Sequence, residues 1–130
     1  MIFDELQAQY NKERQNHAQY FAFAQCLEAA NWPGFAAWMR HAAADELTHA
    51  EKFAGYLIDR NQTPRTDALP APRMLDGNDP IPFFAAALEL ERENTRSILA
   101  LDATADESMD GQTEVFLIWF IGEQTESERT

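Results

Sequence analysis

Residues 3–30, FDELQAQYNKERQNHAQYFAFAQCLEAA, decide the fold because they form a long helical pattern with an acid near its centre. At alternating spacings of four and three residues, apolar and aromatic side chains recur with the period of a helix buried on one face. Glu13 lies on the same stripe, although burying an unpaired carboxylate is very costly. The stripe comprises Leu6, Tyr10, Glu13, His17, Tyr20, Ala24 and Leu27.

Three further segments repeat this pattern, and each carries a metal-type ligand or an amide within its stripe. Carboxylates that converge in one core repel each other, so a positive partner is needed between them. We therefore predict a pair of divalent metal ions at the point where the segments meet. The stripes are Phe35, Met39, Ala42, Glu46, His49, Phe53 and Tyr56; Phe84, Ala87, Glu91, Asn94, Ile98, Leu101 and Ala105; and Thr113, Leu117, Phe120, Gln124 and Ser127.

The length and the 45% hydrophobic content indicate a single domain, residues 1–130, with one compact core. A net charge of −12 argues against nucleic acid or an anionic membrane as a partner, and it suits a protein that attracts cations. The single cysteine, Cys26, forms no internal disulfide. Without a leader or an apolar run near ~18 residues, the expected location is cytoplasmic.

The chain is predicted to be all-α, because β-branched residues are few and no long alternation of polar and apolar residues occurs. Helix A is predicted over residues 3–30 and helix B over residues 33–60. Asn31 is predicted to cap the start of helix B. Helix C is predicted over residues 81–105, and helix D over residues 112–130.

Residues 63–82 hold five of the six prolines and are predicted to form an extended connection. About 20 residues is too long for a turn between neighbours, but it can run along a ~28-residue helix, about 42 Å in length. This predicts a four-helix bundle with one long crossover between helices B and C. Because the sequence stops about two turns after Gln124, helix D is predicted to be short, with no fifth helix.

The ligand types select the metal. Glu46 and His49 are three residues apart on helix B, so both side chains can reach one ion. A zinc-peptidase motif would need histidine at position 45, where the chain has Asp45. Carboxylates with one imidazole and no thiolate favour iron or manganese. Two Fe(II) ions would nearly balance the charges of Glu13, Glu46 and Glu91.

These motifs resemble those of the ferritin family, most closely the bacterial non-haem ferritins. The resemblance rests on Glu13 with Tyr20 seven residues later, on residues 40–49 (RHAAADELTH), on Glu91, and on residues 116–124 (FLIWFIGEQ). Its ligand arrangement resembles that of the ferritin-like di-iron bundles, except that a Glu-x-x-His motif on helix D is missing.

The resemblance implies a role for each residue of the site. Glu13 and His49 would hold the first iron, Glu46 would bridge, and Glu91 would hold the second iron. Gln124 would bond to a bound oxygen species or water. The sixth implied site residue is Tyr20, which could bond a ligating carboxylate or donate an electron. A weaker third iron site would use Asp45, Glu123 and Glu126.

The resemblance also implies a function: ferroxidase activity with dioxygen or peroxide, and iron storage as ferric mineral in a homo-oligomer, by analogy a 24-subunit shell. No haem is expected, because Leu47 stands where bacterioferritins place the haem-ligating methionine. Two alternatives remain open at this point. One is a small di-iron oxidase or peroxide scavenger that stores nothing, and the other is a structural helical bundle without metal.

Overall fold

The computed structural model describes residues 2–129, and within them the chain forms four α-helices and no strand. Helix α1 spans Ile2–Ala29, α2 spans Pro33–Asp59, α3 spans Ile81–Glu107 and α4 spans Gly111–Arg129. Every bound lies within two residues of its prediction, which confirms the all-α four-helix bundle. The expected continuation of the last helix to Thr130 lies outside the described residues.

The order of contacts along the helices gives the topology. Helix α1 is antiparallel to α2, because contacts move toward the start of α1 as they move toward the end of α2. His17 bonds Ala43, and the earlier residue Glu13 lies against the later residue His49. It is antiparallel to α3 in the same way, since Tyr20 bonds Glu91 while Gln9 bonds Asn94 further along. Helices α2 and α3 therefore run parallel, as the long crossover predicted.

The crossover is held against α1 by side-chain amides that hydrogen-bond its backbone N–H and C=O groups. The Gln7 amide donates to Thr63 O at 2.8 Å and accepts from Arg65 N at 2.8 Å. The Gln19 amide binds Arg73 in the same two-bond manner, at 2.8 Å for each bond. These pairs satisfy backbone groups that an extended segment would otherwise leave to water. The crossover thus lies along α1 from Gln7 to Gln19.

The first helix ends in a way that corrects the predicted cap of α2. Asn31 has a φ of 68°, and Trp32 N donates to Leu27 O at 2.8 Å while Asn31 N donates to Glu28 O at 3.0 Å. These two bonds are a Schellman motif, in which the left-handed residue follows the helix end. Asn31 therefore terminates α1, and Trp32 occupies the N-cap position of α2. The prediction that Asn31 caps α2 is wrong.

Two apolar cores lie at opposite ends of the bundle, with a polar layer between them. Most of the predicted stripe positions are buried, but Phe35 is 41% exposed. It packs edge-on against Phe84 at the rim, with ring centroids 5.2 Å apart, and the neighbouring residues Ala36 and Phe83 are buried instead. The stripe positions that are half-buried rather than buried are Tyr10, His17, Ala42, Tyr56, Phe84 and Ser127. The first core comprises Ile2, Leu6, Phe53, Leu57, Ile98, Leu101, Ala105, Leu117 and Phe120. The second core comprises Tyr20, Phe23, Ala24, Leu27, Ala36, Met39, Ala43, Phe83 and Ala87.

Across residues 2–129, no helix has both the length and the apolar character needed to cross a membrane.

Candidate metal centre

The polar layer brings together one acid from α1 and an acid and a histidine from α2. Glu13, Glu46 and His49 each offer a ligand atom, and these atoms all lie within 4.8 Å of one another. His49 Nδ1 is 3.3 Å from Glu46 Oε2 and 3.6 Å from Glu13 Oε2. The three residues are at most 2% exposed. The spacing of three residues on α2 directs Glu46 and His49 to the same side, as the sequence predicted.

The three atoms that face each other lack hydrogen-bond partners. Glu13 Oε2, Glu46 Oε2 and His49 Nδ1 are buried, and none has a partner in hydrogen-bond geometry. Buried polar atoms in proteins are almost always paired, and exceptions call for an explanation. Two carboxylate oxygens and one imidazole nitrogen around one point are a suitable donor set for a divalent transition metal. The residues present therefore fit a metal ion.

The protonation of the group follows from burial and mutual charge. Burial raises the pKa of Glu46 well above its ordinary value, and the neighbouring Glu13 and Glu91 raise it further. Burial opposes ionisation of Glu13, but interactions with Glu46, His49 and Asn94 outweigh it and lower its pKa. Burial also opposes charge on His49, yet Glu13, Glu91 and Glu123 together raise its pKa. Burial and the neighbouring acids thus favour a proton on Glu46, and metal binding to this group would release protons.

Glu91 comes from α3 and lies beside this group. Tyr20 donates its hydroxyl proton to Glu91 Oε2 at 2.7 Å, and Gln124 Nε2 approaches Glu91 Oε1 at 3.3 Å. Burial raises the pKa of Glu91, and the charge of Glu13 adds to this, against the bonds from Tyr20, Glu46 and Gln124. Burial and Glu91 also raise the pKa of Tyr20, so its phenol stays a donor. Glu91 and Glu46 border the same cleft, so both could contribute to a second ion.

Two buried amides, Gln9 and Asn94, also belong to the polar layer and contact Glu13. Gln9 Nε2 lies 3.1 Å from Glu13 Oε1 and 2.9 Å from Asn94 Oδ1. Asn94 Nδ2 donates to Glu13 Oε1 at 3.0 Å. Asn94 was expected on the buried stripe but without a role, and Gln9 was not identified. Its position four residues before Glu13, hence on the same side of the helix, is the signal that points to it.

The residues predicted for a third site line a surface cleft of about 240 Å³ between α2 and α4. Asp45, Glu123 and Glu126 lie there, and Glu46 and Glu91 border the same cleft. They are not brought as close together as the buried group. Within residues 2–129, one group of three histidine, cysteine or acidic side chains has its ligand atoms within 4.8 Å of one another. That group is Glu13, Glu46 and His49.

Aromatic side chains form the outer wall of the site. The Trp119 ring packs edge-on against His49 with centroids 5.5 Å apart, and Phe120 does so at 5.7 Å. Lys52 Nζ lies 4.4 Å from the Trp119 ring centre. Trp119 was predicted to serve packing, and in the structure it packs against His49. Two histidines lie away from the group: His17 bonds Ala43 O at 2.7 Å, and His41 pairs with Asp45 at the surface.

A helical bundle with a long crossover and a buried carboxylate–histidine group defines the class of ferritin-like metal proteins. The family model for the Ferritin-like domain matches residues 3–130. The chain belongs to the Ferritin family, whose members bind iron. This confirms the family inferred from the motifs.

Individual relatives are similar along nearly all of the chain. The bacterial non-heme ferritin of Staphylococcus haemolyticus (strain JCSC1435) is 30% identical over 129 residues, which covers 99% of this chain and 77% of that protein. Chlorobium tepidum ferritin superposes with a TM-score of 0.94 at 28% identity, covering 98% of this chain and 77% of that one. An open pore ferritin from the archaeon Archaeoglobus fulgidus also gives a TM-score of 0.94 at 28% identity, covering 98% and 78% of the two chains.

Proposed function

We propose that this protein oxidises Fe(II) to Fe(III) at a two-iron centre inside the bundle and stores the product as ferric mineral in a shell of identical subunits. The observation that supports this most directly is the group of unpartnered ligand atoms on Glu13, Glu46 and His49. Family membership supports iron as the ion that this group binds. Iron is the substrate of the reaction and the cargo of the shell.

Each ligand has a proposed role. Glu13 and His49 hold the first iron, Glu46 bridges, and Glu91 holds the second iron. The Tyr20 hydroxyl supports this role for Glu91 by fixing one carboxylate oxygen at 2.7 Å. Gln124 supports it from the other side, at 3.3 Å. The predicted bond from Gln124 to a bound oxygen species or water stays a prediction.

The electron balance favours a two-iron site. Two Fe(II) ions supply two electrons together, which, with two protons, reduce dioxygen to hydrogen peroxide. The same two electrons and two protons reduce one hydrogen peroxide to two waters. Either oxidant is compatible with the site. The buried carboxylates favour the more highly charged product ion, so they contribute to the driving force for oxidation.

A shell is supported by apolar side chains that the single chain leaves in water. On α4, Val115 is 69% exposed, Ile118 is 64% exposed and Trp119 is 41% exposed. Val115 lies three residues before Ile118 and four before Trp119, so their exposed parts form a second apolar stripe along α4, with Trp119 at the edge that contacts His49. Monomeric proteins rarely expose such continuous apolar surface, and burial against further copies of the chain would remove it. We propose a homo-oligomer, by analogy with the family a shell of 24 subunits, in the cytoplasm.

The acidic cleft between α2 and α4 is proposed as a weaker third position for iron. Asp45, Glu123 and Glu126 line it, and the cleft reaches Glu46 and Glu91. Its negative charge would concentrate Fe(II) next to the buried ligands. Haem plays no part in this proposal.

The decisive experiment is addition of Fe(II) under air, followed by the absorbance of ferric-oxo species. The unsubstituted protein is expected to oxidise Fe(II) rapidly, and Glu46→Ala is expected to abolish this phase. Glu51→Ala is the matched control, because Glu51 is an exposed acid of the same helix. If Glu46→Ala and Glu51→Ala oxidise Fe(II) at the same rate as the unsubstituted protein, the proposal fails.

Sedimentation of the purified protein separates storage from the alternatives. A large assembly that retains many irons per subunit supports storage. A small species that binds two irons and consumes peroxide indicates a di-iron oxidase instead. A protein that neither binds nor oxidises Fe(II) is a structural bundle without metal.

A further inference from the structure

The two oxygens of Glu13 have different environments. Oε1 accepts two hydrogen bonds, from Gln9 Nε2 at 3.1 Å and from Asn94 Nδ2 at 3.0 Å. Oε2 has no hydrogen-bond partner and faces His49 Nδ1 at 3.6 Å. The donors come from two helices, α1 and α3, so a rotation of the carboxylate would break contacts on both sides.

The orientation of both amides is fixed by the bonds between them. Asn94 Oδ1 accepts from Gln9 Nε2 at 2.9 Å, and Asn94 Nδ2 also reaches Gln124 Oε1 at 3.3 Å. Turning the Asn94 amide over would place its oxygen against Glu13 Oε1 and Gln124 Oε1, where acceptor would face acceptor. The amide nitrogen of Asn94 must therefore face Glu13.

The amides are held in place by burial as well as by bonding. Gln9 is 4% exposed and Asn94 is 0% exposed. Burying an amide is costly unless its hydrogen bonds are made. Two amides buried side by side therefore indicate that their hydrogen bonds are needed at this position. Within residues 2–129, the charged group to which both of them donate a hydrogen bond is Glu13.

We propose that Gln9 and Asn94 are positioning residues that occupy Glu13 Oε1 and leave only Oε2 for the first metal ion. The inference rests on the proposed function and adds to it the ligation mode of Glu13. With Oε1 occupied by two donors, Glu13 would bind an ion through Oε2, and chelation through both oxygens would require these hydrogen bonds to break. One-oxygen binding would leave a coordination position for the oxidant or for water. Partners behind a ligand typically change metal affinity or activity by about 10–100-fold when they are lost.

Anaerobic titration with Co(II), read by its visible absorption bands, tests this directly. Co(II) substitutes for Fe(II) without oxidation, and the intensity of its bands falls as its coordination number rises. Asn94→Leu and Gln9→Met remove the donors at similar side-chain volume. We expect each variant to bind Co(II) about tenfold more weakly at the first position, because the Glu13 carboxylate is no longer held with Oε2 toward the ion. We also expect weaker bands, because Oε1 is then free to approach the ion as well and the coordination number rises. The double variant is expected to show the larger change in both quantities.

Asn11→Leu is the matched control. Asn11 is also a buried amide of α1, but it bonds the crossover at Arg65 and Asp67 rather than the metal centre. It is expected to lower thermal stability and leave the Co(II) spectrum unchanged, which separates positioning from a general structural effect. Should Asn94→Leu not fold, Gln9→Met decides the matter, because it removes one of the two donors from Oε1.

The outcomes distinguish this inference from the proposed function. If the unsubstituted protein binds Co(II) and both folded variants give the same affinity and spectrum, Gln9 and Asn94 do not position Glu13. If the unsubstituted protein binds no Co(II), the metal centre itself is absent and both proposals fail.

Discussion

The polar layer and the two apolar cores of this bundle are built in opposite ways. The cores pair large rings closely, as in Phe53 and Phe120, whose centroids are 4.4 Å apart. The layer between them buries acids at 0% and 1% exposure and leaves their facing oxygens unpartnered. Packing of the first kind stabilises the fold, whereas the second kind lowers the stability of the metal-free protein. The bundle therefore derives its stability from its ends and its proposed chemistry from its middle.

The largest expected effect is functional and concerns the layer. His49→Leu removes the imidazole ligand and is expected to slow Fe(II) oxidation by a factor on the order of 100 or more, since even the loss of partners behind a ligand costs 10–100-fold. Its metal-free thermal stability should not fall, because a buried and partly charged ring has been replaced by an apolar side chain. Stopped-flow absorbance and thermal unfolding on one preparation measure both. A large loss of stability together with retained oxidation would show that His49 stabilises the fold and is not needed for oxidation.

The next effect is on stability and concerns the cores. Phe53→Ala in the first core and Phe23→Ala in the second each remove a ring that is at most 1% exposed. Each is expected to lower the free energy of unfolding by about 3–5 kcal/mol, the usual cost of a cavity left by phenylalanine. Denaturant unfolding measures it. For the fraction that stays folded, the number of Co(II) ions bound per chain should be unchanged. A variant that folds but binds no Co(II) would show that metal binding in the layer depends on packing in the cores.

A smaller effect tests the cost of the layer itself. The pKa of Glu46 is raised by burial, Glu13 and Glu91, so the folded protein keeps a proton that the unfolded chain has lost. The free energy of unfolding of the metal-free protein therefore falls as pH rises above the ordinary glutamate value of about 4.3 toward the raised value. The raised pKa values of Glu91 and His49 act in the same direction.

Glu46→Gln removes this titration. At pH 8 without metal, the variant is expected to be more stable by about 2 kcal/mol, with a shallower dependence on pH. Chemical denaturation between pH 5 and pH 8 checks both expectations. Excess Co(II) should reverse the order, because only the unsubstituted carboxylate binds it strongly. Equal pH slopes for the two proteins would mean that Glu46 is not the group that carries the cost.

The smallest effect belongs to neither region and serves as a reference. Met109 has a φ of 55° at the end of α3 and is 91% exposed. Glycine adopts this left-handed conformation without strain, so Met109→Gly is expected to raise stability by about 0.5–1 kcal/mol. Asn61→Gly, at a φ of 60°, should gain less, because asparagine tolerates the conformation. Iron oxidation should be unchanged in both; altered oxidation would show that helix ends influence the layer.

The sequence was least informative about the outer face of α1. Gln7 and Asn11 are 6% and 9% exposed, although a helical pattern places such residues on the polar side. They are buried because the crossover lies over them and takes their hydrogen bonds. Asn31 was assigned to the wrong helix because its residue type suits both a helix start and a helix end. Its left-handed backbone ends α1 before α2 begins.

The sequence by itself determined the four helices, the long crossover and the acids that point inward. These follow from local periodicity, from proline content and from the cost of burying charge, all of which act over short stretches of chain. The tertiary structure alone decided which carboxylate oxygen is free and which is held. The contacts of Gln9 with Asn94 and of Tyr20 with Glu91 span 85 and 71 residues, and they depend on how each helix is rotated against its neighbour. A rotation of a few degrees changes such a contact without altering the periodicity, so no pattern along the chain records it.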